Sequence, residues 1–141
     1  MTNPDAILYP GIAMFFLTLA VMLRMGFERY SAIHSGTVSI KYYRTFDEGS
    51  QTARLHLLSR HVQNHFEIPP LFYVAILFTH VSGSVTMAAV GFAWAYFLLR
   101  CVHAYIHLGS NDVSVRFFTF GASLLALAGI WISLVVSLLR G

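Results

Sequence analysis

Apolar positions along this chain gather into four long runs, and the polar positions crowd into the gaps between them and at their edges. The first run extends from Ile7 to Met25, close to the about 20 residues that carry a helix across the hydrocarbon core. Tyr9-Pro10-Gly11 near its start suits entry at the interface, with the proline in or before the first turn. The second run is unbroken only from Ile68 to about Val81, too short to cross. Its helix must therefore begin near Val62, which draws Asn64, His65 and Glu67 into the span. Pro69 and Pro70 withhold amide donors from the carbonyls one turn back, which predicts a kink near His65 and Phe66. The third run, Val85 to about Leu108, opens with Ala88, Ala89, Gly91, Ala93 and Ala95, small residues that let another helix approach closely. The fourth, Val115 to Leu139, carries Arg116 at its start and Ala122 and Ala126 at small-xxx-small spacing.

This pattern predicts an all-α integral membrane protein, a four-helix transmembrane bundle forming one domain over residues 1–141, with spans at about 7–25, 62–81, 85–108 and 115–139. Ser82-Gly83-Ser84 and Gly109-Ser110-Asn111-Asp112 read as short connections. Residues 26–58 read as the one long loop, with Asp47-Glu48-Gly49-Ser50 as its clearest turn and Tyr42 and Tyr43 suited to the headgroup level.

Composition agrees: 57% of residues are hydrophobic and 11% charged, against roughly 25% charged in a soluble domain. The net charge of +3 is unevenly placed, so it reads as a topology signal and not as a nucleic-acid surface. Arg24, Arg29, Lys41, Arg44, Arg54 and Arg60 flank or occupy the long loop, and the opposite side holds only Arg140. By the positive-inside rule the loop and the Gly109 turn are cytoplasmic and both termini lie outside. No Lys or Arg precedes Arg24 and no cleavage site follows the first run, which reads as a retained span and not a signal peptide. Cys101 is the single cysteine, so neither an internal disulfide nor a cysteine zinc site is open to one chain.

That orientation gathers the intramembrane polar residues into one leaflet. An ionisable side chain at the centre of a spanning helix costs about 2.5 to 3.5 kcal/mol, which makes each a functional-site hypothesis. At 100° per residue Arg60, Asn64 and Glu67 share an arc of roughly 60°, and Arg100, His103 and His107 share a similar one. Two stripes of this kind glue helices together through an ion-pair network, or they line an anion-accepting site in which arginines take carboxylates and Asn64 supplies an amide. His61-x-x-x-His65 and His103-x-x-x-His107 have a spacing that chelates metals. His61 and His65, however, lie about 100° round the helix from Arg60, so the two pairs need not converge. His56 and His80 read as solitary interfacial residues, and Cys101 as a packed apolar side chain.

The pattern Arg60-x-x-x-Asn64-x-x-Glu67 followed by proline, opening the second of four spans, resembles the MAPEG family, the membrane-associated proteins in eicosanoid and glutathione metabolism, in its bacterial type. The similarity covers about residues 55–140 in sequence and the first span in architecture. It implies a homotrimer in the bilayer, in bacteria the inner membrane, with glutathione held between subunits near the cytoplasmic leaflet. Arg60, Asn64 and Glu67 match the family's glutathione-contacting positions. Arg100 and His103 resemble its polar residues on the third span, with His107 beside them. Arg116 looks like the arginine that stabilises the glutathione thiolate, the catalytic role. Gln63 stands where several members have a second arginine, His107 where a tyrosine is common, and Phe117 and Phe120 where some place hydroxyls. The implied function is a glutathione-dependent transferase or peroxidase acting on lipophilic substrates. The alternative is a non-catalytic protein on the same scaffold, binding lipid or serving as an accessory subunit of a larger complex.

Overall fold

The computed structural model describes residues 3–46 and 50–140, and all regular structure among them is helical. A 3-10 turn, Pro4–Ile7, leads into α1 (Leu8–His34), followed by the short α2 (Tyr42–Thr45), α3 (Ala53–Glu67), α4 (Pro69–Val81), α5 (Met87–Leu108) and α6 (Val113–Arg140). Starts follow local chemistry. Thr52 accepts from the Leu55 amide at 3.3 Å, Thr86 from the Ala89 amide at 3.1 Å, and Asp112 from the Val115 amide at 3.0 Å, each satisfying a donor that the helix leaves free. The turn between α4 and α5 needs a left-handed residue, and Gly83 supplies it at φ 67°.

Two expectations change. The segment expected as loop after Met25 is helical to His34, because nothing from Gly26 onward breaks the helix. Its polar residues mark the end of α1 that leaves the membrane. There Glu28 accepts from Arg54 at 2.6 Å and Arg29 donates to Ser59 at 3.2 Å, stitching α1 to α3. Arg29 also lies 5.2 Å over the Tyr43 ring. The segment between helices is thus residues 35–52, interrupted by α2; the turn expected at Asp47-Glu48-Gly49 lies outside the described residues.

The double proline does more than kink the second span. The helix stops at Glu67, Ile68 intervenes with φ −100°, and α4 begins on Pro69, where a missing N–H is no loss. Neither half is long enough alone to cross a bilayer. Three helical stretches are long and apolar enough: Pro4–His34, Met87–Leu108 and Val113–Arg140.

α5 and α6 form the most extensive pairing, with α1 against α3, α4 and α5, and α4 against α6. Of the small residues opening α5, Ala89 and Ala93 are buried, one turn apart, while Ala88 and Gly91 face outward. Phe72 of α4 stacks on Tyr96 of α5 with ring centroids 4.2 Å apart, at the centre of a core that includes Met14, Ile76, Leu127 and Ile130. The periphery is apolar as well: Phe15, Phe16, Leu98, Leu125 and Leu139 each expose more than half their surface. A continuous apolar exterior of that kind belongs against lipid, and the chain is an integral membrane protein.

The α5–α6 contact is closest at Gly129, where an added Cβ would stand 2.7 Å from the Phe92 ring. Gly129→Ala is expected to destabilise the bundle by about 1 to 3 kcal/mol through overpacking, read as a lower melting temperature in detergent. Combining it with Phe92→Leu is expected to restore most of the loss.

Candidate functional site

The sequence of α3 carries two different faces at helical spacing. Leu55, Leu58, His61, Val62 and His65 are buried, and Arg60, Gln63 and Glu67 are exposed. The buried face lies against α1 and α5, so His61 and His65 enter the protein while Arg60 stays at its surface. α5 contributes Tyr96, Arg100, His103 and His107 to the same interior, all buried.

The two histidine pairs therefore converge, an outcome that the angular spacing leaves open. The angle to Arg60 was right, but α3 turns its histidine side inward, with the apolar Leu55, Leu58 and Val62. The His61 ring centroid lies 4.9 Å from His65, 4.8 Å from His107 and 6.0 Å from His103. The His61 and His103 rings are stacked, 23° from parallel, and among the described residues no three His, Cys, Asp or Glu side chains are placed to hold a metal ion.

Hydrogen bonds fix two of the ring tautomers. Thr18 of α1 gives its hydroxyl proton to the Met14 carbonyl at 3.0 Å, so at 2.9 Å it accepts from His65 Nδ1. The Arg116 carbonyl can only accept, so His103 Nδ1 donates to it at 3.2 Å. Both rings are left with a bare Nε2 that is buried and has no partner. Thr18 and Tyr96 were not candidates from sequence; Thr18, one helix away, carries no spacing signal, whereas Tyr96 precedes Arg100 by one turn on the same buried face of α5. His61 and His65 carried one, the shared face with Leu58 and Val62.

On the outer side of this interior, Arg60, Asn64, His103, Val113, Arg116, Phe117 and Phe120 line a cavity of about 250 Å³. Four of the seven site residues expected from sequence thus meet, drawn from α3, α5 and α6. Arg116 is held in place by a 2.6 Å hydrogen bond from Nη1 to the amide oxygen Oδ1 of Asn111, a residue in the left-handed conformation at φ 53° in the turn before α6. Arg100 sits behind the cavity: its Nη2 donates to the Asn64 carbonyl at 3.4 Å, and its guanidinium lies 5.8 Å from the Phe120 ring. His107 lines a separate cavity with Arg24 and Arg54. Glu67 is not drawn in; it accepts from Gln63 at 2.9 Å on the exposed side.

An all-helical membrane chain with this polar end has a counterpart among known families. The sequence model of the MAPEG family matches residues 7–136, nearly the whole chain. The chain belongs to the MAPEG family. No curated protein and no solved structure matches it. In this MAPEG protein the cations and the amide of the outer cavity come from α3 and α6, with His103 from α5, and among the described residues no acidic side chain lines it. Such a cavity attracts anions and has apolar walls where Val113, Phe117 and Phe120 meet the lipid.

The tautomer assignment is directly measurable: ¹⁵N chemical shifts of the imidazoles are expected to show the Nδ1–H form at His65 and His103. Thr18→Val, which removes the acceptor, is expected to cost about 1 to 3 kcal/mol of stability, and Thr18→Ser to cost much less. An unchanged melting temperature in Thr18→Val would overturn the assignment at His65.

Proposed function

We propose that this MAPEG protein is a glutathione-dependent transferase or peroxidase that binds glutathione or a related anionic thiol in the cavity between Arg60, Asn64 and Arg116 and acts on lipophilic substrates. The observation that carries the reading is the meeting of two arginines and an amide in one cavity without a carboxylate. Bound glutathione would supply a nucleophilic or reducing sulfur. Arg60 offers a planar fork to a carboxylate, and Asn64 pairs with a peptide group. Arg116, oriented by Asn111, brings the positive charge that favours a thiolate over a thiol. Phe117 and Phe120 form the wall through which a lipophilic electrophile enters from the bilayer. Glu67, on the exposed side, is available to a neighbouring subunit.

The protomer is read as four crossings, with α3 and α4 together making the second, and the assembly as a homotrimer. At about 250 Å³ the cavity of one protomer falls below the roughly 300 to 1,000 Å³ of small-molecule sites, which supports a site completed by a second copy. The positive-inside count puts this end at the cytoplasmic face of the inner membrane, with both termini outside.

A second reading, a non-catalytic lipid-binding protein or accessory subunit, is favoured by one feature. An apolar groove of about 410 Å³ runs between α1 and α5, lined by Leu17, Val21, Cys101 and Ala104 with Arg24 at its mouth. An acyl chain with an anionic headgroup suits it.

Titration calorimetry of the purified protein with reduced glutathione separates the two. Saturable binding at millimolar ligand or below is expected, weakened at least about tenfold, or about 1.4 kcal/mol, in Arg116→Ala and in Arg60→Ala. No saturable heat at millimolar glutathione would remove the enzyme reading and leave the lipid one. The mass of the detergent-solubilised protein is expected to be that of three 15.8 kDa chains; a monomer would remove the shared site.

A further inference from the structure

Arg100 is fully buried, yet the group that a buried guanidinium requires is missing around it. One nitrogen, Nη2, reaches the Asn64 carbonyl at 3.4 Å, while Nε and Nη1 have no partner. Among the described residues the ion pair formed is Arg54 with Glu28, at the polar end, and Glu67 is engaged by Gln63. A guanidinium keeps its charge, and an unpaired charge in a low-dielectric interior is among the costliest arrangements a protein holds.

The neighbours repeat the imbalance. Both ring nitrogens of His61, Nε2 of His65 and His103, Nδ1 of His107 and the Tyr96 hydroxyl are buried without partners. Tyr96, Arg100, His103 and His107 share the buried face of α5, and the His61 ring centroid lies within 6.0 Å of His65, His103 and His107. The donors free to act are the Nε–H and Nη1–H groups of Arg100, the Tyr96 O–H and one N–H of His61, and they face no anionic acceptor.

We propose that the buried polar interior around Arg100 is an inner anion site in which Arg100, Tyr96 and His61 hold one monovalent anion, a halide or a carboxylate, behind the outer cavity. One such anion neutralises the guanidinium and gives each free donor an acceptor. A metal cation does the reverse, adding positive charge beside an unpaired arginine, and the stacked His61 and His103 rings do not present converging lone pairs.

The anion has two possible sources with the same chemistry. One is a free small ion such as chloride. The other, which rests on the glutathione reading, is a carboxylate of the ligand in the outer cavity, since Asn64 and Phe120 belong to that cavity and also contact Arg100.

The test is a series of thermal melts of the purified protein in detergent at constant ionic strength, exchanging gluconate, too bulky to enter, for chloride or acetate. A saturable rise in melting temperature is expected for at least one of them. It is expected to vanish in Arg100→Gln, to need about five- to tenfold more anion in Tyr96→Phe, and to persist in Arg116→Ala, which removes only the outer cation. No saturable response in the wild type, an undiminished response in Arg100→Gln, or loss of the response in Arg116→Ala would each overturn the inner site. Should Arg100→Gln fail to fold, Tyr96→Phe and His61→Phe decide by the same criterion. S-methylglutathione, titrated at low and high chloride, then identifies the source. Competition assigns the chamber to a ligand carboxylate, and independence assigns it to the free ion. Absence of any S-methylglutathione binding, with the chloride response intact, defeats the glutathione reading and leaves the inner site standing.

Discussion

A guanidinium sealed inside a membrane bundle is the constraint around which the polar end of this protein is arranged. Arg100 cannot shed its charge, so the residues packed round it must be able to tolerate a cation. The wall from α3 is histidine, not leucine, at two of its buried positions. α1 contributes Thr18, which anchors His65, and α6 contributes a main-chain carbonyl, which anchors His103. Three helices thus spend polar groups on one interior that in an ordinary core would be apolar. Towards the other end, Phe72, Tyr96, Ile76 and Ile130 pack as hydrocarbon. Tyr96 belongs to both regions, its ring stacked on Phe72 and its buried hydroxyl carried one turn before Arg100 on the same face of α5.

The helical scaffold was legible because its signal is long and redundant. Runs such as Val115 to Leu139 have one stable solution in lipid, where every backbone amide must be satisfied within the segment. Boundaries were less legible, and for a definite reason. The residues from Gly26 to His34 are polar, and polarity was read as loop, but a helix that leaves the membrane continues as a helix with polar side chains. Likewise the double proline announced an irregularity without saying whether it would bend the helix or divide it. The outcome shows at Ile68, which ends α3 and caps α4, its carbonyl accepting from the Leu71 amide at 3.0 Å.

The site was legible in part. Arg60, Asn64, His103 and Arg116 meet in one cavity as their leaflet and stripes suggested. The angle between the α3 histidines and Arg60 leaves open whether they meet the α5 histidines, and the structure shows that they do. A helix at an edge between solvent and core uses both faces, and the face that α3 buries is fixed by Leu55, Leu58 and Val62. Those three residues were in the sequence, at the spacing that places His61 and His65 beside them. Thr18 was out of reach of such reasoning, because its role depends on the azimuth of α1, which an almost uniformly apolar helix does not encode.

Why the polar chamber and the outer cavity adjoin follows from the break at Ile68. Glutamine, asparagine, two histidines and an arginine within Arg60–His65 would be expensive in an uninterrupted spanning helix. Dividing the segment leaves α4 apolar while α3 carries the polar groups, with one face towards Arg100 and the other towards Arg116. Asn64 stands between them, its side chain at the outer cavity and its carbonyl on Arg100. Charge placed in the outer cavity is therefore felt at Arg100 through a single residue, in a medium of low dielectric where such an effect falls off slowly. An anion at either position eases the cost of the cation at the other, so the outer cavity and the interior behind it share one electrostatic environment without sharing one set of ligands.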